Sequence, residues 1–316
     1  LVKNKLQILD AKFLHNPNDK GNHCHCPTLL ETQSGNLLVA WYAYPDQEHV
    51  GATLALARYS KEQNRWLPSQ SIISKSGFSR GNPVLFQDPE GKVWLLFVAL
   101  KGNYWNDAIL EGAWSEDEGQ TWSNPIQLGK IPGLMVRHPP VILGNQSLLL
   151  PAYEEKTRQT VLMTAHPPYK IWKETYRFSD LELIQPVLLR EKSDRLSLFF
   201  RPCDNPRLIW RSHSSNNGNS WSVPIRTSLP NPLSGIAAFT VGDSTALVYN
   251  HTEEHQRFPL SISITNDGGT TWEDPWHFET VNNEVSYPSF INGRDGKIHG
   301  VYTYNRRMIK YVLLSS

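Results

Sequence analysis

Short apolar runs, each opened by a polar residue and a Pro or Gly, recur along this chain at intervals of about 50 residues. They are His25-Cys-Pro27-Thr-Leu-Leu, Asn82-Pro83-Val-Leu-Phe, His138-Pro-Pro140-Val-Ile-Leu, Gln185-Pro186-Val-Leu-Leu, Ser234-Gly235-Ile-Ala-Ala and Tyr287-Pro288-Ser-Phe-Ile. Runs this short and this apolar fit strands buried on both faces. A second strand follows each, as in Asn36-Leu-Leu-Val-Ala-Trp41 and Gly91-Lys-Val-Trp-Leu-Leu-Phe97, often behind a turn signal such as Ser34-Gly35, Glu90-Gly91 or Asp295-Gly296. No amphipathic helix of useful length competes, so the pattern predicts a series of antiparallel meanders.

A second pattern recurs out of phase with the first: Ser115-Glu-Asp117-Glu-Gly119-Gln-Thr121-Trp122, Ser214-Ser-Asn216-Asn-Gly218-Asn-Ser220-Trp221 and Thr265-Asn-Asp267-Gly-Gly269-Thr-Thr271-Trp272. Each suits a tight turn between two outer strands. The Asp or Asn accepts hydrogen bonds from turn N–H groups, Gly takes the left-handed conformation and Trp folds back under the sheet. These boxes are structural rather than catalytic. Together the two repeats predict an all-β, six-bladed β-propeller, with residues 1–316 as a single domain. The opening segment Leu6–Phe13 is expected to supply the outer strand of the last blade and close the ring.

Charge excludes some partners. The chain carries 31 Lys and Arg against 30 Asp and Glu, with no dense basic block, so neither nucleic acid nor an acidic membrane surface is implied. No run reaches the length of a membrane-spanning helix, and no membrane insertion is expected. A start at Leu1 rather than Met leaves room for a removed signal peptide, and the compartment stays open, as does the oligomeric state. Cys24, Cys26 and Cys203 form an odd set whose first two members lie too close on a strand to pair, so reduced, buried thiols are expected.

If the inner strands surround a channel, the polar residues before each Pro or Gly gather at one mouth. That set is His25, Arg80 with Asn82, Arg137 with His138, Gln185, Ser234 and Tyr287. Imidazole, guanidinium, amide, hydroxyl and phenol around one rim make a poor core and a sensible site for a polar ligand.

The boxes and this strand order resemble the sialidase (neuraminidase) superfamily, over nearly the whole chain. Members hold a sugar carboxylate with three arginines, use a Tyr nucleophile activated by a Glu, and protonate the leaving group with an Asp. Arg201, ending Leu196-Ser-Leu-Phe-Phe-Arg201, looks like the second arginine; Arg257, in Arg257-Phe-Pro-Leu-Ser-Ile-Ser, looks like the third. Tyr287, in Val285-Ser-Tyr-Pro-Ser-Phe, resembles the nucleophile. The chain departs from the family in three places. His25 stands where the first arginine belongs, Leu183 where the activating Glu belongs, and Ala43 and Tyr44 where the acid belongs, with Asp46 and Glu48 slightly beyond.

Two guanidinium groups on one rim suit a carboxylate, and Arg137 could supply the charge absent at position 25. Structural ion pairs with Asp204 or Glu254 are the alternative for Arg201 and Arg257. A phenol needs a base or nearby positive charge to act as nucleophile, and Glu154 or Glu155 could reach in from a neighbouring blade. Alternation along His23-Cys24-His25-Cys26 sends the His pair to one face and the Cys pair to the other, which speaks against a metal site; His25 fits better as a rim acid/base. Tyr104 and Trp105, in the loop Lys101–Asp107, are expected to stack on sugar, with Trp41, Tyr42 and Tyr44 as further aromatics.

The resemblance implies an exo-glycosidase acting on a terminal acidic sugar of a glycan, without cofactor or metal. Its carboxylate would meet Arg201, Arg257 and Arg137, with Tyr287 as nucleophile or stabiliser, Asp46 or Glu48 as acid, and His138, Arg80, Asn82 and Gln185 completing the rim. A uronate-directed lyase using His25 or His138 and Tyr287, and a silent glycan-binding propeller, are the alternatives.

Overall fold

A computed structural model describes residues 6–15, 23–73, 78–100, 102 and 104–315; Lys101 and Asn103 of the predicted sugar-contact loop lie outside the described residues. The described strands form six antiparallel sheets of four or five strands each. From the axis outward each sheet meanders through consecutive strands, and the innermost strands of neighbouring sheets pack against one another around the ring. In the sixth blade the order is Val285–Asn292, Ile298–Tyr304, Met308–Leu314 and then Ile8–Phe13 from the N-terminus. The ring is therefore closed by the segment expected to close it.

The cores lie between consecutive blades. Leu38 and Leu54 of the first blade, for example, bury against Leu85, Leu95 and Phe97 of the second. Each such side chain contributes about 1.5–3 kcal/mol relative to exposure, so the blades are held by sheet-on-sheet packing more than by any single bond. Side-chain hydrogen bonds then fix the register between blades: Leu85 N–H donates to Thr28 Oγ1 at 3.1 Å and Leu29 N–H to Ser289 Oγ at 3.2 Å.

The polar-Pro pattern has a backbone cause. Cys26, Asn82, Gln185 and Tyr287, each directly before a Pro, have φ of 58°, 47°, 48° and 54°. At each of them the pairing with the second strand shifts register. A left-handed residue inserted in a strand makes a bulge, and Pro has no N–H to leave unpaired there. The bulge turns one side chain off the pleat, toward the axis. It also defeats the simple alternation expected for the two cysteines: Cys24 packs with Trp41 and Val301, whereas Cys26 packs with Leu38 and Leu85 on the other side of the sheet. Two inner strands are shorter than their sequences predict. Pro139 and Pro140 break the third blade's into Leu134–Val136 and Val141–Ile142, and the fifth blade's starts only at Ala237.

The boxes close turns between outer strands. Asp117 accepts from Thr121 N–H at 2.8 Å, Gln120 N–H at 3.1 Å and the hydroxyls of Thr121 and Ser115 at 2.6 and 2.7 Å. Burial would raise its carboxyl slightly, but these donors pull it down to about 2. Asp267 repeats the arrangement, and Asn216 keeps it with an amide oxygen accepting from Ser220 N–H at 3.0 Å.

Candidate functional site

At the axis, where the inner strands begin, lies a cavity of about 200 Å³ to which all six blades contribute side chains. The lining side chains come from the start of inner strands, from their bulges, and from the end of second strands or the first residues beyond them. The bulges bring in Asn82, Gln185 and Tyr287; the turns after second strands bring in Glu48, Trp105, Glu155, Arg257 and Arg306. Arg201 comes from the last turn of its own second strand, Leu196–Pro202.

Tyr287 is the hub. Its hydroxyl oxygen receives Arg201 Nη1 at 3.2 Å and Gln185 Nε2 at 3.3 Å. The His25 ring lies 4.4 Å from its ring, and the Arg257 guanidinium 5.3 Å from the ring centre. Arg201, Arg257 and Tyr287 thus meet at one place, and neither arginine uses the acidic neighbour suspected from sequence. Arg257 pairs with Glu284 at 3.1 Å and donates to Leu233 O at 3.2 Å. Asp204 instead faces Arg226 at 3.6 Å.

A third guanidinium stands in the cavity, though sequence reasoning overlooked it. Arg306, in the hairpin turn after Ile298–Tyr304, bridges Glu284 at 2.8 Å and Glu48 at 3.0 Å. The other oxygen of Glu48 accepts the Tyr42 hydroxyl. Burial favours protonating Glu284, but the adjacent Arg306 and Arg257 outweigh it and hold the carboxyl below its usual range. The three guanidiniums therefore face two paired carboxylates. Among the described residues Arg201 has no ion-pair partner, and its Nε, like Nδ1 of His25, has no hydrogen-bond partner.

Glu155, just past Leu148–Glu154, is the acidic group left over. Burial pushes its carboxyl up against the pull of Arg201 and Arg158. Of the two residues weighed as the base, Glu154 is committed elsewhere, to Arg177 at 2.8 Å. Leu183, at the position of the missing family Glu, is buried core. Burial holds His25 well below the normal imidazole range, helped by Arg306, Arg257 and Arg137, so its ring is neutral.

Several expected contributors do not line the cavity. Arg137 is 1% exposed and gives its guanidinium to backbone carbonyls. The break at Pro139 leaves His138 buried against the Ile236 backbone. Arg80 precedes its bulge by two residues and turns instead into a side groove with Phe78, Glu111 and Trp122, its guanidinium 5.8 Å from the Phe97 ring. Asp46 is exposed at the tip of its loop, so the acid role proposed for it has no geometry behind it. Glu48 reaches the cavity, but as an acceptor on both oxygens it is badly placed to donate a proton. Tyr104 points to solvent at 68% exposure, whereas Trp105 lines the cavity, packed against Tyr42 and His49. Asn82 and Gln185 do line it. Arg306 and Tyr153, which the sequence did not point to, share with Glu155 one sequence signal: all sit at or just past the end of a second strand.

A ring of six sheets, three of them carrying boxes, with a polar axial cavity is the architecture of the sialidase-like propellers. The chain belongs to the family described as BNR repeat-like domain, which matches residues 35–300. No curated protein matches the sequence. Among solved structures it is similar to a protein of unknown function from Dyadobacter fermentans, with a TM-score of 0.82, 14% identity and coverage of 98% of this chain and 99% of that one. It is also similar to the Ruminococcus gnavus intramolecular trans-sialidase, with a TM-score of 0.75, 14% identity and 96% of each chain covered. The Streptococcus pneumoniae sialidase NanB matches with a TM-score of 0.79 and 11% identity, over 96% of this chain and 70% of that one. At these identities the likeness concerns the fold. Among the described residues no helix is long and apolar enough to cross a membrane.

Proposed function

We propose that the chain is an exo-glycosidase that grips the carboxylate of a terminal sugar acid and cleaves its glycosidic bond at Tyr287. The observation that carries this reading is the convergence of Arg201, Arg257 and Arg306 with Tyr287 in one small cavity, where Arg201 lacks an anionic partner among the described residues. A guanidinium left unneutralised inside a cavity favours a bound anion, and a carboxylate takes two parallel hydrogen bonds from it. Sugar acids are also what the similar sialidases act on, by their names.

Tyrosine suits this substrate because a neutral phenol avoids the repulsion an anionic nucleophile would meet beside a carboxylate; sialidases are the known exception to paired-carboxylate glycosidases. Glu155 is the group able to move the proton. It takes it from the phenol as the Tyr287 oxygen bonds to the anomeric carbon, and returns it to the leaving oxygen as the glycosidic C–O bond breaks. Water then reverses both steps, releasing the sugar and restoring the phenol. A carboxyl raised by burial holds a proton more readily than an exposed one, which suits it to both transfers. Trp105 supplies an apolar face for the sugar.

One observation favours a second reading: neutral, buried His25 against Tyr287 is a base and acid pair for β-elimination at a uronic acid. The experiment that tests the proposal is a screen of sialyl and uronyl glycosides with wild type and Tyr287→Phe. Release of an intact sugar acid, lost in the variant, supports the hydrolase. An unsaturated product absorbing in the ultraviolet transfers the site to the lyase reading. Binding without turnover of any substrate, unchanged in the variant, leaves a silent glycan-binding propeller.

A further inference from the structure

Arg137 is 1% exposed, yet among the described residues no carboxylate lies within ion-pair distance of it. Its Nη2 donates to the carbonyls of Tyr287 and Pro288, both at 2.8 Å, and its Nη1 to that of Pro27 at 3.2 Å. Those carbonyls belong to inner strands of the sixth and first blades, while Arg137 itself follows the inner strand of the third. Its guanidinium carbon lies 5.4 Å from the centre of the Tyr287 ring, yet Arg137 is not among the residues that line the cavity. The titratable groups around it bring no compensating charge. Burial keeps His25 and His138 neutral by lowering both imidazoles, and keeps the Cys26 thiol protonated by raising it.

An ion taken out of water without a counter-ion is strongly disfavoured, and three carbonyl dipoles offset only part of that. Cross-linking three backbone carbonyls needs donors but not a net charge. What the net charge adds is a field in the cavity on the other side of Tyr287, where low dielectric leaves it poorly screened.

We propose that Arg137 is a positioning residue that favours a negative charge in the axial cavity without touching the ligand: a buried, unpaired cation behind Tyr287 whose missing counter-ion is the substrate carboxylate. Arg137 then provides through the wall the charge that His25 does not provide within it. This rests on the carboxylate reading of the site.

The test compares binding of a sugar acid with that of its methyl ester, using the methyl glycosides of sialic acid and of glucuronic acid, by calorimetry on variants whose fold is verified by circular dichroism. Wild type is expected to prefer the acid. Arg137→Met and Arg137→Gln should each lose about tenfold in acid affinity with ester affinity unchanged, and Arg137→Lys should keep most of the preference. Arg137→Gln retains donors for the carbonyls and stands in if the Met variant fails to fold. Equal weakening of acid and ester, or an acid-to-ester ratio unchanged in the Gln variant, would overturn the proposal while leaving the carboxylate site intact. A wild type indifferent to the charge would overturn the carboxylate reading and this inference with it.

Discussion

The box turns and the axial cavity are both rich in polar side chains, but they use them in opposite ways. In the box around Asp117 every partner comes from within a few residues, and the carboxylate is saturated by hydrogen bonds at 2.6 to 3.1 Å. In the cavity the partners are far apart in sequence: Tyr287 meets Gln185, Arg201 and His25, and Arg306 meets Glu48. Polar atoms there are left without protein partners. A saturated cluster stabilises the fold and has nothing to offer a ligand. An unsaturated one lowers stability and is ready to bind.

Separating the two clusters by mutation should therefore separate function from stability. The largest effect is expected for Tyr287→Phe, which should lower turnover of the cleaved glycoside by ~10³-fold or more, with a thermal midpoint close to wild type. Steady-state kinetics beside a melting curve checks this, and a variant of undiminished kcat would remove Tyr287 from the chemistry. Next, Arg201→Met should weaken binding of a sugar acid by about 30-fold, the worth of a charge-assisted hydrogen-bond pair, without loss of stability. If the protein melts lower instead, Arg201 belongs with the box residues.

Asp117→Ala should do the reverse, costing about 1–2 kcal/mol in denaturant unfolding while ligand affinity stays unchanged. The sign of its pH dependence follows from its depressed carboxyl. Asp117 stabilises the fold above the unfolded carboxylate range near pH ~4, and that contribution disappears as pH falls through about 2. Wild type and Asp117→Ala should therefore converge in stability in strong acid. Glu155, raised by burial, runs the other way: it favours the folded state at low pH, and the benefit fades as pH rises through its folded value. The smallest effect is accordingly a modest gain in stability for Glu155→Gln at pH values where the carboxyl is ionised in the folded protein. That substitution should also remove the acid limb of the activity profile. A limb that persists would assign the proton transfer to another group.

Local chemistry explains how much of this was legible beforehand. The boxes, the paired strands and the closing role of Leu6–Phe13 are carried by contiguous residues, and each could be read directly. The polar-Pro pattern was visible, but its meaning as a left-handed bulge was not, because strict alternation is the default expectation for a strand. Strict alternation puts Cys24 and Cys26 on one face and aims Arg80, two residues before the Asn82 bulge, at the axis, and the bulges undo both. The polar-Pro pattern places Tyr287 at the rim, whereas its nucleophile role and the part played by Arg201 and Arg257 come from a family resemblance. Arg306 and Glu155 escaped or stayed ambiguous because the resemblance places its first arginine and its glutamate on inner strands. Here both charges come from turns beyond second strands, and nothing in sequence distance predicts that Glu48, Glu284 and Arg306 meet.

A crystal structure of the protein with a sugar acid bound tests the central claim most directly. The account predicts the carboxylate inside the axial cavity, hydrogen-bonded to Arg201 and Arg257, with the anomeric carbon facing the Tyr287 hydroxyl. A sugar seated with its carboxylate toward solvent, or bound in the groove between the first two blades while the cavity holds only water, would contradict it.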